Sequence, residues 1–320
     1  MIEVKNVTKK YGNFVAVDNI SFTIKDGEVV GFLGPNGAGK STTMNMITGY
    51  IEQTEGNIIV DGFDTIKKSQ KAKKEIGYMP EGVPLYTDLT VKEFVTYMAE
   101  LRKVERKAKK ENVQKVLKET GLDQMQNKLI KNLSRGQKQR VSLAGTLVAD
   151  PKILILDEPT VGLDPKQITE IRSLIKNLGK KHTVILSSHI LSEVSQICDR
   201  VIIINKGKIV AIDTPENLEK KVSDNNVIYV TVEDKENKVE SIKEKISGIK
   251  EIKLIKEIKL IKENEDKTKQ YEITGENNVN LNKAIFNEFA KENIPIIEMK
   301  KAEATLEDAF MKIIKEGGDK

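Results

Sequence analysis

Apolar and polar residues alternate at the start of the chain, from Ile2 to Phe22, and the alternation breaks at Gly12-Asn13. A period of two is typical of strands with one buried face, so this stretch predicts two antiparallel strands joined by a turn. Residues 28–33 then form an apolar run that predicts a strand, and residues 40–48 predict a helix. The chain therefore begins with an antiparallel β region followed by a strand–loop–helix unit.

Apolar residues recur at helical spacing between about residues 91 and 131, which predicts a helical insert. Nearly continuous apolar runs beyond the insert predict three further strands, at residues 153–156, 183–186 and 200–204. Such runs, alternating with helical stretches, are typical of a parallel sheet covered on both faces. We predict an α/β fold with a parallel-sheet core, an antiparallel β subdomain and a helical subdomain at about residues 88–140.

A polar, turn-forming stretch at residues 221–226 predicts a linker that divides the chain into domains 1–221 and 222–320. The second domain has predicted strands and helices in the order β-α-β-β-α-β, which is that of a ferredoxin-like unit. These elements lie at residues 227–232, 237–246, 251–261, 270–274, 280–290 and 294–298, and a final helix follows at 304–314. We predict a small α+β accessory domain of ferredoxin-like topology.

A six-residue segment, 250–255, is repeated at 256–261. Because six is an even number, a duplication inside a strand keeps each side chain on its original face of the sheet. We interpret the repeat as a lengthened strand, in preference to a motif that binds a partner.

The chain has 53 Lys and Arg residues against 48 Asp and Glu, and no long stretch is uniformly basic, so we expect no nucleic-acid partner. Its densest basic stretch, residues 102–118, alternates with acidic and apolar residues and predicts a solvated helix face. Cys198 is the only cysteine, which excludes an internal disulfide and suggests a small buried side chain. No apolar run approaches the ~18 residues of a membrane span, and the N-terminus lacks a signal-peptide core. We expect a soluble chain in a reducing compartment.

A glycine-rich loop, Gly34-Pro35-Asn36-Gly37-Ala38-Gly39-Lys40-Ser41, lies between a predicted strand and a predicted helix. In this context the loop predicts a phosphate site, because glycines let backbone N–H groups approach the phosphates and the helix N-terminus favours an anion. Lys40 is expected to reach the β- and γ-phosphates, and Ser41 to bind Mg²⁺. The predicted nucleotide-binding residues of this loop (residues 34–42, the phosphate loop) are Gly34, Asn36, Gly37, Gly39, Lys40, Ser41 and Thr42.

Two carboxylates follow the apolar run at residues 153–156: Asp157 and Glu158. Ligands bind at the carboxyl ends of strands in open parallel sheets, so both are expected near the phosphate loop. Asp157 is predicted to hold Mg²⁺, and Glu158 to act as the base for the attacking water.

The segment Leu133-Ser134-Arg135-Gly136-Gln137 lies between these two features, and with it in this order the chain resembles the ATP-binding cassette (ABC) family of transport ATPases. The resemblance covers about residues 1–215. It identifies this pentapeptide as the signature segment, and it implies that Ser134, Gly136 and Gln137 face the γ-phosphate of ATP held by a second copy of the domain.

Further motifs of the family match in order. The resemblance assigns Tyr11 to stacking on adenine and residues 76–81 to the segment that ends in the Q-loop. Gly162-Leu163-Asp164 corresponds to the D-loop, with Asp164 as its acidic residue, and Ser187-Ser188-His189 to the switch segment, whose His189 would contact the γ-phosphate.

Two positions depart from the family's common pattern. Glu81 stands where glutamine is commonest, and its carboxylate is a further candidate for approaching Mg²⁺ or the attacking water. Arg135 stands where glycine is commonest. Its side chain either points away or adds a cation at the dimer interface, and the sequence leaves both open.

The resemblance implies an ATPase subunit of a bacterial exporter that uses ATP and Mg²⁺. Residues 84–90 and 304–310 are similar to a group associated with multidrug, antibiotic or gliding-type export, whose ATPase is encoded separately from its permease. Its partners would be an integral-membrane permease and a second copy of the chain. Its location would be cytoplasmic, peripheral on the inner face of the plasma membrane.

Two alternative functions were weighed. A non-transport cassette ATPase that acts on ribosomes, DNA or a protein assembly is less favoured, because such relatives often carry two cassettes, long coiled coils or extended basic arms. A regulatory binder that does not hydrolyse ATP is disfavoured because Lys40 and Glu158 are both present.

Two smaller features have structural interpretations. His182 is predicted to be a surface residue at the start of a strand. The segment Asn205-Lys206-Gly207-Lys208 is similar to a guanine-reading motif, but Lys208 stands where an aspartate is required. Because the segment lies between two apolar runs, we interpret it as a hairpin turn.

Overall fold

The computed structural model describes residues 1–82, 85–188, 190–222, 226–234, 238–239, 255–264, 268–275, 281–301 and 305–316. The chain divides into two compact units, one of residues 1–215 with 310–320 and one of residues 216–309. These limits differ from the predicted domains, 1–221 and 222–320, chiefly in placing the last eleven residues with the first unit.

Among the described residues, the first unit contains ten strands and seven complete α-helices. The strands are β1 (Ile2–Tyr11), β2 (Phe14–Ile24), β3 (Val29–Leu33), β4 (Glu55–Val60), β5 (Phe63–Asp64), β6 (Ile76–Met79), β7 (Ile153–Asp157), β8 (Thr183–Ser187), β9 (Arg200–Asn205) and β10 (Lys208–Asp213). The helices are α1 (Lys40–Ile47), α2 (Ser69–Glu75), α3 (Val91–Leu101), α4 (Arg106–Glu119), α5 (Arg135–Leu147), α6 (Pro165–Leu178) and α7 (Leu191–Ile197), and α8 (Pro215–Val222) follows them.

A six-stranded sheet of order β10-β9-β3-β8-β7-β6 forms the centre of this unit. Strands β9, β3, β8, β7 and β6 run parallel, and β10 is an antiparallel edge. Every residue of β3, β7 and β8 is buried, as expected for strands covered on both faces. The predicted α/β fold with a parallel-sheet core is confirmed.

A four-stranded antiparallel sheet of order β2-β1-β4-β5 packs against the same hydrophobic core. Strands β1 and β2 pair from Ile2 opposite Ile24 to Tyr11 opposite Phe14. The turn between them holds Gly12 at φ 57°, a left-handed conformation that glycine adopts at little cost. The predicted antiparallel β region and its turn are therefore confirmed.

The helical insert contains α3, α4 and the start of α5. Helix α3 begins at a capping box, in which the Glu93 N–H donates to Thr90 Oγ1 (3.2 Å) and the Thr90 N–H donates to the Glu93 carboxylate (2.8 Å). Most basic residues of α4 are exposed, as predicted. Arg102, which directly follows α3, is an exception within the predicted basic stretch 102–118, because its guanidinium donates to the Ile76 carbonyl and burial lowers its pKa. The prediction of a solvated face is wrong at this residue, whose side chain links α3 to the start of β6.

The second unit contains β11 (Asn226–Glu233), β12 (Ile255–Glu263), β13 (Thr268–Gly275), α9 (Leu281–Lys291) and β14 (Ile296–Lys301). Its sheet is antiparallel throughout, in the order β12-β13-β11-β14. Because β13 lies between β11 and β12, these two run parallel, as in a split βαβ unit. Val230, Ile273 and Phe289 are buried in the core that α9 covers.

Parts of the second-domain prediction fall outside the described residues. The predicted helix at 237–246 is described only at residues 238 and 239, and most of the first copy of the repeated hexamer is not described. The second copy lies in β12, where Leu260 and Ile261 are exposed. The final helix, α10 (Leu306–Glu316), begins two residues later than predicted.

Candidate active site

The phosphate loop connects the carboxyl end of β3 to the N-terminus of α1. Gly39 has φ 109°, and a Cβ there would lie 2.8 Å from the Ala16 carbonyl oxygen. A Cβ on Gly34 would overlap the carbonyl oxygen of Ile204. Both glycines are therefore required by the close approach of neighbouring strands. Gly34 contacts β9 and does not line the cleft described below.

Lys40 is the first residue of α1 and its side chain is buried. Its ammonium donates to the carbonyl oxygens of Gly34 (2.6 Å) and Pro35 (3.1 Å). An ammonium has three donors, so one remains for a phosphate oxygen. Burial lowers the Lys40 pKa, and the carboxylates of Glu158, Asp157 and Glu81 act against that shift. Lys40 therefore lies close enough to all three predicted carboxylates for their negative charges to act on its ammonium group.

Asp157 is the last residue of β7, and it pairs with Ser187 at the end of β8. The Ser187 hydroxyl donates to the Asp157 carboxylate and accepts from the Glu158 N–H (3.0 Å). Glu158 has φ 49°, an uncommon conformation for a residue other than glycine. One buried hydroxyl thus orients the carboxylate of Asp157 and the backbone of Glu158. Ser187 lies in the predicted switch segment, in which a contact had been predicted for His189 alone.

Most of the predicted nucleotide-binding residues line one cleft of about 300 Å³, which we call the phosphate-loop cleft. It is lined by Tyr11, Phe14, Ala16, Asn36, Gly37, Gly39, Lys40, Ser41, Thr42, Glu81, Asp157 and Glu158. The structure thus brings ten predicted residues to one place. His189, predicted to contact the γ-phosphate, lies outside the described residues.

Two aromatic rings lie at the mouth of this cleft. Tyr11 is 49% exposed, and Lys9 Nζ lies 5.0 Å from its ring centroid. Phe14, which pairs with Tyr11 across the β1–β2 turn, is 64% exposed and was not predicted as a site residue. The turn at Gly12-Asn13 was the available signal, since a two-residue turn places the flanking residues opposite each other.

The signature segment and the D-loop line a different cleft, of about 210 Å³, which we call the signature cleft. Ser134 caps α5, accepting from the Gln137 N–H (3.3 Å), while the Gln137 side chain accepts from the Ser134 N–H (3.0 Å). Asp164 caps α6 by accepting from the Gln167 N–H (2.9 Å). Two helix N-termini therefore meet here, and the Gln137 side chain is held by its own helix start.

His182 corrects the sequence prediction, because it is only 6% exposed. Its Nδ1 lies 2.7 Å from the Pro151 carbonyl oxygen. A carbonyl can only accept, so Nδ1 donates and the ring joins the starts of β7 and β8. The hairpin-turn interpretation of residues 205–208 is confirmed, because Lys206 (φ 48°) and Gly207 (φ 78°) form a two-residue turn between β9 and β10. Cys198 is buried as predicted, and burial raises the pKa of its thiol.

Comparisons with known proteins place the chain among ABC transporter ATP-binding proteins. Residues 17–161 match the family model described as ABC transporter. The linearmycin resistance ATP-binding protein LnrL of Bacillus subtilis is 38% identical over 233 residues, which cover 72% of this chain and 75% of LnrL. The bacitracin transport ATP-binding protein BcrA of Bacillus licheniformis is 38% identical over 243 residues, covering 73% and 78%.

Among solved structures, the dimeric post-hydrolysis state of the ATP-binding cassette MJ0796, bound to ADP and Pi, is similar. It has 30% sequence identity and a TM-score of 0.60, covering 67% of this chain and 98% of that one. None of the helices in the described ranges combines the length and apolar composition that crossing a bilayer requires.

Proposed function

This chain belongs to the family of ABC transporter ATP-binding proteins, and we propose that it powers export through a separate membrane permease as one half of an ATP-binding dimer. It is an ATPase and an ATP-binding subunit of an ABC exporter.

The observation that carries the dimer is the separation of the two clefts. The phosphate-loop cleft contains Lys40, Asp157 and Glu158, and none of the signature residues lines it. The signature cleft contains Ser134 and Asp164, and no phosphate-loop residue lines it. A site that needs both sets is complete only when the signature cleft of one copy faces the phosphate-loop cleft of another.

In the proposed reaction, the phosphate loop and Lys40 bind the β- and γ-phosphates of ATP. Water attacks the γ-phosphorus, a new P–O bond forms, the bond to ADP breaks, and Glu158 accepts the proton of the water. Ser187 supports this role, since it holds the Glu158 backbone and the Asp157 carboxylate together. The signature residues of the partner copy would bind the γ-phosphate from the other side.

The donor set fits a magnesium ion, because Ser41 and Asp157 offer a hydroxyl and a carboxylate oxygen. Mg²⁺ usually takes few protein ligands and completes its shell with phosphate oxygens and water. When bound with ATP, the ion neutralises charge on the phosphate oxygens. Glu81 lines the same cleft and is the further candidate ligand.

An exposed groove beside α3 supports the permease as partner. It has a volume of about 590 Å³ and includes Leu85, Tyr86 and Tyr97. The rings of Tyr86 and Tyr97 meet edge to face with centroids 5.4 Å apart, and Tyr86 is 56% exposed. Exposed aromatic clusters are typical of protein–protein contacts. We infer that a cytoplasmic segment of the permease binds here.

Co-purification from detergent-solubilised membranes tests the permease. The tagged chain is expected to retain an integral-membrane protein, and a Tyr86→Ser, Tyr97→Ser variant to lose it while keeping ATP binding. A matched Tyr50→Ser variant changes another exposed tyrosine outside the groove and should retain the partner. Capture of ribosomes or nucleic acid in place of a membrane protein would contradict the proposal.

Introducing arginine at Ser134 tests the dimer. In a Glu158→Gln background, chains with an unchanged signature cleft are expected to form dimers when ATP is added. Light scattering coupled to size-exclusion chromatography measures the dimers. Ser134→Arg should abolish the dimers while leaving the Kd of the monomer for ATP within about twofold, because Ser134 lies outside the phosphate-loop cleft. Gln114→Arg, on the exposed face of α4, adds the same charge as a control. Loss of monomer ATP binding in Ser134→Arg would refute the two-cleft arrangement.

A further inference from the structure

Arg135 is the first residue of α5, directly after the Ser134 cap, and its side chain turns toward the D-loop of the same chain. A Cβ added at Gly162 would overlap the guanidinium carbon and both terminal nitrogens of Arg135. Because these three atoms are nearly equally close, the guanidinium presents its flat face to the glycine. Gly162 has φ 69°, so glycine is favoured there both by backbone conformation and by the side chain that covers it.

The next residue of the signature segment, Gly136, makes a contact with the roles reversed, because here a side chain of α6 covers a glycine of the signature segment. A Cβ at Gly136 would lie 2.6 Å from Gln167 Oε1 and 2.7 Å from Gln167 Cδ, so the side chain of Gln167 covers this glycine. Gln167 is in the first turn of α6, and its N–H donates to the D-loop carboxylate of Asp164. The signature segment and the D-loop each contain a glycine that is covered by a side chain from across this junction.

Two polar contacts extend this junction along the helices. Gln139 Nε2 donates to the Pro159 carbonyl (2.8 Å), and Arg140 forms an ion pair with Glu170 (2.6 Å). Four contacts thus join α5 to the chain between β7 and α6 and to the first turns of α6. Ser134 and Asp164, the two caps, are held at one end of this junction.

Neither helix formation nor ion pairing accounts for an arginine at position 135. A cation in the first turn opposes the helix dipole. Within the described parts of the chain, the Arg135 guanidinium makes no hydrogen bond or ion pair, and the side chain is exposed. What it does make is the stacking contact with Gly162. The sequence left two roles open for Arg135, pointing away or adding a cation at the dimer interface. The geometry favours a third role, which is a contact within the chain.

We propose that Arg135 is a positioning residue that fixes the D-loop relative to the signature serine, so that Ser134 and Asp164 of one copy enter the partner's ATP site as one rigid unit. This inference rests on the dimer proposed above. Arg135 does not line the phosphate-loop cleft, although it lines a neighbouring cleft together with Glu81 and Glu158. The inference therefore assigns Arg135 to the closing of the dimer and not to nucleotide binding by the monomer.

A double-mutant cycle tests the contact, with ATP-driven dimerisation in the Glu158→Gln background as the readout. Gly162→Ala is expected to weaken the dimer about tenfold or more, because the new methyl group enters the space of the guanidinium. Adding Arg135→Ala should return the dimer to the level of Arg135→Ala alone, and not multiply the two losses, since the methyl group then has room. Gly62→Ala is the matched control, because Gly62 also has positive φ (77°) but open space around its Cβ position.

Arg135→Ala alone keeps the inference testable if Gly162→Ala fails to fold. It should weaken the dimer about fivefold, and Arg135→Lys should not restore it, because a flexible ammonium cannot stack on the glycine. The monomer's Kd for ATP and its thermal unfolding midpoint should stay unchanged. A role in charge alone predicts instead that lysine restores the dimer, and that result would overturn the inference.

The outcomes also separate this inference from the dimer itself. Independent effects of Gly162→Ala and Arg135→Ala, with no recovery in the double variant, would overturn the contact while Ser134→Arg still blocks the dimer. Dimers that persist in Ser134→Arg would instead overturn the proposed function, on which the inference depends.

Discussion

The phosphate-loop cleft and the signature cleft are built in different ways. Asp157 and Ser187 are buried residues at the ends of paired central strands, and Lys40 is buried at the start of the helix that follows a third strand. Ser134 and Asp164 are exposed residues that cap two helices. The first cleft is therefore fixed by the core of the unit, whereas the second depends on contacts between helix N-termini.

This difference matches two separate tasks. Cleavage of a phosphate bond needs groups held within a fraction of an ångström, and a buried sheet edge supplies that rigidity. Binding a second copy needs accessible groups, and exposed helix N-termini supply both access and N–H donors for an anion. Substitutions in the first cleft should therefore change turnover, and substitutions in the second should change assembly.

Glu158→Gln is the substitution for which we expect the largest change in turnover without a change in assembly. It removes the proton acceptor and keeps the side-chain shape and the N–H donated to Ser187, so we expect kcat to fall by at least about 100-fold. The Kd for ATP should remain close to wild type, and ATP-induced dimers should accumulate. Steady-state phosphate release and equilibrium nucleotide binding measure the two quantities.

Glu111→Gln provides the matched control for Glu158→Gln, because Glu111 is exposed on α4 outside both clefts. It should leave turnover unchanged. Undiminished hydrolysis in Glu158→Gln would assign the base elsewhere in the phosphate-loop cleft, with the Glu81 carboxylate as the next candidate.

The phosphate-loop cleft was predictable from sequence to the extent that its residues follow local rules. A glycine-rich loop after a strand, and carboxylates directly after an apolar run, place Lys40 and Asp157 without knowledge of the strand order. Ser187 was not predictable in the same way. Its bond to Asp157 exists only because β7 and β8 are neighbours, and that pairing is a property of the whole sheet.

The junction of α5 with the D-loop shows the same limit more clearly. Arg135 and Gly162 are 27 positions apart (162 − 135), and no periodic pattern connects them. His182 was predicted to be a surface residue at the start of a strand, yet a carbonyl acceptor at Pro151 accommodates it in the interior. Local rules identified the chemistry of the clefts, and packing between distant segments decided how they are held.

A smaller effect should come from Ser187→Ala, which leaves all predicted catalytic groups in place. The variant loses the hydroxyl that donates to Asp157 and accepts from the Glu158 N–H, so both groups lose their fixed orientation. Partners of this kind typically contribute 10- to 100-fold, and we expect roughly a tenfold decrease in kcat. The Mg²⁺ concentration for half-maximal activity should rise in parallel, because Asp157 is the proposed carboxylate ligand.

Ser195→Ala makes the same chemical change on α7, where the hydroxyl donates to the Ser192 carbonyl (3.2 Å), and should leave both quantities unaltered. Thermal unfolding of Ser187→Ala distinguishes a local effect from loss of the fold. If turnover and Mg²⁺ dependence both stayed at wild-type values, Ser187 would be only a structural link between β7 and β8. The rigidity of the phosphate-loop cleft would then come from the strands alone, and the contrast with the helix-capped signature cleft would be stronger still.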